Sequence, residues 1–335
     1  MKEMMSHRCR VSPKLPWKVR LFVSTMSFAV DLSRRSNFTV NRTLMNLFDF
    51  KSSASQKPVD GVKSSDIVVD TTCNLWFRLY TPTSSHGGTF PVIVFFHGGG
   101  FSFMAANSKP YDDFCRRLAR ELSAIIISVN YRLSPEHRCP SQYEDGLKVL
   151  KFIDEWEGLI PINANLKHCF VGGDSAGGNL AHHAAVKANE HKFHNLKLIG
   201  VIAIQPFFGG EERTESEIKL DGAPLVTMEL TDWTWKAFLP QGSDRDHPAA
   251  NVFGPNAVDL GDMKFPATIV FVGGFDPLQD WQKRYVEGLK KCGKEAYLVE
   301  YPNAIHSFYA YPELPESSWF IDETRDFVQK QMANM

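Results

Sequence analysis

From residue 90 onward, the chain alternates short apolar runs rich in β-branched residues with longer segments of helical periodicity. Runs that are apolar at almost every position are typical of strands buried on both faces, and helices between such strands cover a mostly parallel sheet. Two earlier strand-like runs are separated by a short polar turn. The pattern therefore predicts an α/β fold with helices on both faces of the sheet. The predicted strands lie at residues 66–70, 75–80, 92–96, 124–130, 168–172, 198–204, 267–272 and 296–301.

Two segments interrupt this alternation. Residues 206–255 contain charged residues and tryptophans but no strand pattern. They predict a helical cap inserted over the carboxyl edge of the sheet, where open α/β sheets bind ligands. Residues 52–58 form a polar stretch that ends in proline, which is typical of a linker. The sequence thus predicts an N-terminal segment and linker over residues 1–57 and one α/β domain over residues 58–335, which contains the cap.

The composition excludes several classes of protein. With 37 basic and 38 acidic residues among 335, the net charge is −1, which gives no electrostatic reason to bind nucleic acid. The longest apolar runs are far shorter than the roughly 18 residues that a membrane span needs. The six cysteines form no CxxC or metal-binding pattern, which favours free thiols in a reducing compartment. We therefore expect a cytoplasmic protein, with access to the nucleus left open and no protein partner identified.

The most informative motif lies between a predicted strand and a predicted helix. Residues 173–177 read Gly-Asp-Ser-Ala-Gly, which is the GxSxG pattern in the strand–turn–helix context of a nucleophilic serine. The flanking glycines allow neighbouring backbones to approach closely where the serine takes a strained conformation. Ser175 is therefore the predicted nucleophile, whereas Asp174 is expected to make a structural hydrogen bond.

A second motif, His-Gly-Gly-Gly at residues 97–100, follows the predicted strand at 92–96. Glycine lets the backbone approach a substrate oxygen closely. The sequence predicts that the amides of Gly98, Gly99 and Ala176 form an oxyanion hole, and that His97 holds the loop. No lysine follows the glycines as it does in a P-loop, which argues against phosphate binding.

Chain order identifies the remaining catalytic groups. In folds with this serine turn, the triad runs from Ser to Asp or Glu and then to His. Of the 11 histidines, only His306 follows the predicted strand at 267–272, and Asp276 lies just beyond that strand. The predicted triad is therefore Ser175, Asp276 and His306, with Asp280 as a rival carboxylate that begins a helix. Such a triad implies no metal and no cofactor, because histidine can take the serine proton near neutral pH.

The N-terminal segment has a helical pattern of its own. Trp17, Leu21, Thr25, Phe28 and Leu32 recur at a spacing that places them on one face of a helix. An apolar helical face must cover something. We therefore expect this face to lie against the surface of the protein.

Together the motifs resemble the plant carboxylesterase family, in the hormone-sensitive-lipase-like branch of α/β-hydrolases. The matching blocks are HGGGF at 97–101, YRLSPEHRCP at 131–140, GDSAGG at 173–178 and the segments of Asp276 and His306, and the resemblance covers essentially the whole chain. It implies an α/β-hydrolase fold with a mostly parallel eight-stranded sheet, an N-terminal lid and a helical cap. It also implies a serine carboxylesterase that hydrolyses a small, moderately hydrophobic ester through an acyl-enzyme.

Other segments are similar to the gibberellin receptors, a catalytically inactive subgroup in which the N-terminal segment is a lid over the hormone. This resemblance implies that the apolar face with Trp17 and Leu32 covers the mouth of the pocket above Ser175. These segments are residues 15–51, 58–61, 209–222 and 233–248. The receptors lack the catalytic histidine and have HGGS, whereas this sequence keeps His306 and Gly100. An Asp-Arg pair and a tyrosine of the receptors correspond here to Leu230, Thr231 and Thr234. The sequence therefore favours an esterase, with two alternatives: a hormone receptor of this type, or an enzyme that uses the fold for a non-hydrolytic step.

Overall fold

In the computed structural model, which describes residues 13–83, 88–155, 161 and 163–335, one sheet contains all the named strands. The strands are β1 (Val62–Asp70), β2 (Leu75–Pro82), β3 (Phe90–Phe96), β4 (Ile125–Asn130), β5 (Ala164–Asp174), β6 (Leu198–Ile204), β7 (Ala267–Gly273) and β8 (Ala296–Tyr301). Their spatial order is β1-β2-β4-β3-β5-β6-β7-β8. Strand β2 runs antiparallel to both of its neighbours, and β3 to β8 are parallel. The predicted mostly parallel eight-stranded sheet is confirmed.

Helices cover both faces of this sheet. Those in the described residues are α1 (Trp17–Ser33), α2 (Arg42–Phe48), α3 (Lys109–Glu121), α4 (Ser141–Glu155), α5 (Ala176–Ala188), α6 (Glu215–Lys219), α7 (Met228–Phe238), α8 (Gln279–Lys291) and α9 (Pro315–Ala333). In β3, Val92 and Val94 belong to the same apolar cluster as residues of α4 and α5. Ile93 and Phe95 belong to a second cluster, with residues of α3 and α9. Because successive side chains of a strand point to opposite faces, this strand is apolar throughout.

The topology brings the predicted catalytic segments to one edge of the sheet. The loop at residues 97–100 follows β3, and Ser175 follows β5. Asp276 lies three residues beyond the end of β7, and His306 lies five residues beyond the end of β8. Because parallel strands end at the same edge, segments far apart in the sequence meet there.

Helix α1 contacts the rest of the protein through a different face from the predicted one. Val19, Val23 and Ala29 are buried. The residues of the predicted face are instead exposed, with exposed fractions of 70% for Trp17, 60% for Leu21, 59% for Phe28 and 50% for Leu32. The helix is apolar on two faces, and periodicity alone does not tell which of them packs. The expectation that the face with Trp17 and Leu32 covers the pocket is therefore wrong.

The N-terminal segment contacts the segment between β6 and β7. That segment forms α6 and α7 and contains no strand among the described residues. The Arg34 guanidinium pairs with Glu229 of α7 at 2.8 Å, and the Trp233 indole donates a hydrogen bond to the Arg35 carbonyl at 2.7 Å. These contacts fix α1 against α7. The proposed domain division at residue 57 and the cap bounds of 206–255 remain predictions.

Three further observations concern membrane spans, thiols and metal sites in the described residues. None of their helices is long and apolar enough to cross a bilayer. Cys73, Cys115, Cys139, Cys169 and Cys292 carry free thiols, and Cys9 lies outside the described part of the chain. No group of three or more His, Cys, Asp or Glu side chains in that part is arranged to hold a metal ion.

Candidate active site

Ser175 is the single residue between β5 and α5, and its backbone is strained. Its φ of 51° and ψ of −119° lie in a region that residues with a side chain rarely adopt. The glycines make the turn possible, because a Cβ on Gly177 would overlap the Phe96 carbonyl oxygen and one on Gly173 would lie 2.5 Å from the same atom. The Ser175 amide donates to the Ile204 carbonyl at 2.9 Å. Neighbouring strands thus hold the serine in this conformation.

His306 and Asp276 form a buried pair in which His306 Nδ1 lies 2.8 Å from Asp276 Oδ2. His306 lines the same cavity as Ser175. Among the described residues, none forms a hydrogen bond with the Ser175 hydroxyl, and such catalytic bonds are often long before substrate binds. The rival carboxylate, Asp280, accepts a hydrogen bond from the Ser216 amide at 2.8 Å and so joins α8 to α6.

The charges around His306 favour a protonated ring. Burial alone would lower the pKa of His306, but the Asp276 carboxylate outweighs it and, with a further contribution from Asp174, raises that pKa above its ordinary value. Because Nδ1 faces the carboxylate, Nε2 is the nitrogen left to exchange a proton with the cavity. The pair can therefore take up a proton and stabilise the imidazolium that results.

The Gly98 amide is already bonded within the protein. It donates to Asp174 Oδ1 at 2.9 Å and to the Tyr111 hydroxyl oxygen at 2.8 Å. Gly98 is also absent from the described lining of the cavity. The assignment of Gly98 to the oxyanion hole is therefore corrected. Sequence order alone did not indicate that a carboxylate next to the serine would face the first glycine of the loop.

Three other amides are available as donors. Among the described residues, none accepts a hydrogen bond from the amides of Gly99, Gly100 or Ala176. Gly99 and Gly100 have φ values of 92° and 58° and line the cavity with Ser175. Ala176 is the first residue of α5, and amides in the first turn of a helix have no acceptor within it. Gly100 thus replaces Gly98 in the candidate oxyanion hole.

His97 occupies a position that fits a structural role. Its Nδ1 lies 2.8 Å from the Gly98 carbonyl oxygen, and its ring stacks on Tyr131 with the centroids 4.3 Å apart. Burial lowers the pKa of His97 to about 3, so the ring is neutral at physiological pH. These contacts agree with the prediction that His97 holds the loop.

The cavity in front of Ser175 is small and mostly apolar, with a volume of about 160 Å³. Helix α1 contributes Phe22, Met26 and Val30 to its wall, and α7 contributes Leu230, Thr231 and Thr234. Within the described part of the chain, no lysine or arginine lines it. The wall offers apolar contacts and a few hydroxyl groups, and its one basic side chain in the described residues, His306, is already paired with Asp276.

Comparison with known proteins identifies the family. A model of the α/β-hydrolase fold matches residues 93–310, and a carboxylesterase-family model matches residues 49–135. The chain belongs to the α/β-hydrolase family. Within the family, this chain is 41% identical to gibberellin receptor GID1C of Arabidopsis thaliana, over 95% of both chains. It is 35% identical to carboxylesterase 20 of the same plant, over 77% of this chain and 82% of the relative.

A solved structure supports the same fold. An esterase of Pyrobaculum calidifontis superposes with a TM-score of 0.71 at 26% identity, over 96% of this chain and 94% of the esterase. The similarity to plant carboxylesterases and to the gibberellin-receptor subgroup, expected from the motifs, is confirmed. The relatives include both receptors and carboxylesterases, so the function of this chain has to be argued from its own residues.

Two glutamines hold the candidate acid–base pair in place, and the sequence analysis missed both of them. The Gln205 side-chain amide donates to Asp276 Oδ2 at 3.0 Å, and its oxygen accepts the Ser307 amide at 2.8 Å. Gln282 donates to the same Asp276 oxygen at 2.8 Å. Gln205 therefore fixes both the carboxylate and the loop that carries His306. The only signal of this role in the sequence is the position of Gln205 directly after β6, at the carboxyl edge of the sheet.

Proposed function

We propose that this protein is a serine carboxylesterase in which Ser175 is the nucleophile, His306 the general base and acid, and Asp276 the residue that orients His306. One observation carries the proposal: the strained serine and the histidine of a 2.8 Å His306–Asp276 pair line the same cavity. A serine hydroxyl is a poor nucleophile until an adjacent base takes its proton, and this pair is the base that the cavity offers.

In the first step, Ser175 Oγ attacks the ester carbonyl carbon while its proton passes to His306 Nε2. The carbonyl oxygen gains a negative charge, which the amides of Gly99, Gly100 and Ala176 stabilise. A single donor of this kind contributes about 3 kcal/mol to transition-state stabilisation. Asp276 stabilises the imidazolium and keeps the proton on Nδ1 when the ring is neutral.

In the second step, the tetrahedral intermediate collapses and the C–O bond to the alcohol breaks. His306 gives its proton to the departing alkoxide oxygen, which leaves as the alcohol, and the acyl group stays on Ser175. A water molecule then attacks the acyl carbon of the acyl-enzyme while His306 takes a proton from that water. The carboxylic acid is released, and the serine recovers its proton from the same histidine.

The substrate is a neutral, moderately hydrophobic ester. The cavity volume of about 160 Å³ resembles that of an engineered apolar cavity of about 150 Å³ that holds benzene. This is room for one ring or a short acyl chain beside the serine. A carboxylate in the same place would lose its hydration with no lysine or arginine to pair with. The N-terminal segment is the lid that closes the cavity, because Met26 and Val30 form part of its wall.

A hormone receptor is the second candidate, and the 41% identity to a gibberellin receptor favours it. Gibberellins carry a carboxylate, and within the described residues the only basic side chain that lines the cavity is His306, which is already paired with Asp276. Leaving a buried charge without its partner costs roughly 3–5 kcal/mol. His306, paired with a carboxylate that two glutamines hold in place, is arranged for proton transfer. These observations favour the esterase.

A panel of p-nitrophenyl esters from acetate to palmitate tests the proposal. We expect hydrolysis of the short and medium esters, and a loss of at least a thousandfold in Ser175→Ala. His306→Ala should lose a similar factor, whereas His194→Ala, which changes an exposed histidine, should keep full activity. A parallel calorimetric titration with a gibberellin should give no heat of specific binding. Micromolar binding without any ester turnover would establish the receptor instead.

A further inference from the structure

Asp174, the residue before the candidate nucleophile, has a buried carboxylate that takes no part in the triad. Its Oδ1 accepts the Gly98 amide at 2.9 Å, and its Oδ2 accepts the Tyr111 hydroxyl at 2.9 Å. The hydroxyl of Tyr309, three residues beyond His306, also interacts with this carboxylate. One side chain therefore connects the serine turn, the glycine loop, the start of α3 and the histidine loop.

The glycine loop is packed directly onto this carboxylate. A Cβ on Gly98 would overlap Asp174 Oδ2 and would lie 2.9 Å from the Tyr111 hydroxyl oxygen. With the Gly98 amide bonded to Asp174, the left-handed conformations of Gly99 and Gly100 turn the next two residues toward the cavity. The position of these two residues thus depends on the anchor at Gly98.

The carboxylate also acts on His306 through its charge. Asp174 is the second carboxylate, after Asp276, that raises the pKa of His306. The titratable groups that interact with Asp174 are His306, Tyr111, Tyr309, Tyr131 and Cys115. Burial raises the pKa of the three tyrosines and of the Cys115 thiol far above the usual values, so these groups stay neutral and only His306 exchanges charge with Asp174 near neutral pH.

We infer that Asp174 is a positioning residue for the proposed esterase reaction: it anchors the oxyanion loop through Gly98, and its negative charge favours the imidazolium of His306. The inference rests on the proposed function, because it assigns Asp174 a part in the same reaction. Both carboxylate oxygens of Asp174 are already bonded, to the Gly98 amide and the Tyr111 hydroxyl, so Asp174 acts through the loop and the histidine.

The titration of Asp174 agrees with this assignment. Burial raises the pKa of Asp174 to about 6, against the opposing effect of Tyr309, Tyr111 and His306. The side chain is therefore mostly ionised at pH 7 and neutral near pH 5. As the pH falls through this range, His306 gains a proton and Asp174 loses its charge, and each of these changes reduces the activity.

Asp174→Asn and Asp174→Ala separate the two effects. Asparagine keeps an oxygen for the Gly98 amide but removes the charge, so kcat should fall about tenfold and KM should change less than threefold. The acid limb of the pH–rate profile should move to lower pH, because His306 loses one of its two neighbouring negative charges. Alanine also removes the anchor, so kcat should fall at least a hundredfold, as when an oxyanion donor is lost.

Asp154→Asn is a matched control. Asp154 is another buried carboxylate that accepts backbone amides, from His194, Asn195 and Leu196 at 2.6–2.9 Å, but it lies outside the cavity. The control variant should lose stability without a change in kcat or in the pH profile. If the Asp174 variants do not fold, Tyr111→Phe removes one of the partners of Asp174 and should lower kcat threefold to tenfold.

An NMR titration of the His306 ring gives a readout that does not need turnover. The pKa of His306 should be lower in Asp174→Asn than in the wild type and unchanged in Asp154→Asn. If the wild type hydrolyses no ester, the proposed function fails. A lower pKa of His306 in Asp174→Asn would still support the effect of the Asp174 charge on His306. An unchanged His306 pKa, or a wild-type kcat in Asp174→Ala, would overturn the inference.

Discussion

The carboxyl edge of the sheet and the N-terminal segment differ in what determines their conformation. At the edge, the turn at Ser175 needs glycine at 173 and 177 because a Cβ there would meet the backbone of Phe96. That requirement comes from the local geometry of a strand, a turn and a helix, so the motif specifies it. In the N-terminal segment, α1 forms from local periodicity, but the face that it buries depends on the distant residues that it contacts.

The size of the side chains explains why the sequence pattern predicted the wrong buried face for α1. The buried face of α1 carries the small residues Val19, Val23 and Ala29, whereas its exposed face carries the larger Trp17 and Leu21. Large apolar residues are usually buried, but a folded protein keeps much apolar surface exposed. Amphipathic periodicity therefore predicts that a helix forms more reliably than it predicts which face packs.

Among variants that compare the carboxyl edge of the sheet with the N-terminal segment, a substitution of the triad carboxylate should have the largest effect on kcat. Asp276→Asn should lower kcat about ten-thousandfold, because an amide donating to Nδ1 would hold the wrong tautomer of His306. The matched control is Asp280→Asn, since Asp280 bonds the Ser216 amide instead of a histidine. It should keep kcat within threefold in a steady-state assay. Equal losses in the two variants would contradict the assignment of Asp276.

The glycine of the serine turn should show the next largest effect. Gly177→Ala forces a Cβ into the Phe96 carbonyl oxygen, so it should destabilise the protein by about 3 kcal/mol or more. Gly88→Ala is the control, because a Cβ there meets nothing within 4 Å. Urea unfolding of both variants measures the difference. A Gly177→Ala protein of wild-type stability would show that the turn is looser than described.

A smaller effect should distinguish the two faces of α1. Val23→Ala removes two buried methyl groups and should lower the free energy of unfolding by about 2 kcal/mol. Leu32→Ala changes a half-exposed side chain and should cost less than about 0.5 kcal/mol. The same unfolding assay serves for both. A larger loss for Leu32→Ala would restore the face that the sequence pattern favoured.

The smallest expected effect concerns substrate binding under the lid. Met26→Ala removes part of the cavity wall, so KM for a hexanoate or benzoate ester should rise about threefold to tenfold while KM for the acetate stays within twofold. Leu21→Ala changes an exposed residue of the same helix and should leave both values unchanged. If KM for the acetate rose as much as KM for the hexanoate, the lid would support the catalytic groups and not the substrate.

The sequence predicted the sheet and most of the candidate site. The apolar runs of the central strands and the motifs that follow them are local signals, so the sheet and the positions of Ser175, Asp276 and His306 along the chain could be predicted. Gly98 was misassigned because its partner, Asp174, lies 76 residues away. Gln205 and Gln282 were missed because their role depends on contacts across strands and helices that leave no pattern in the chain.

The central claim is that Ser175 is the nucleophile activated by His306. An organophosphate such as diethyl p-nitrophenyl phosphate tests it directly, because the phosphoryl group stays on an activated serine. Intact-mass analysis of the wild type should show one diethylphosphoryl adduct, and peptide mapping should place it on the peptide that contains Ser175. Ser175→Ala should remain unlabelled and His306→Ala should react far more slowly. A wild type without an adduct, or an adduct on another residue, would contradict the account.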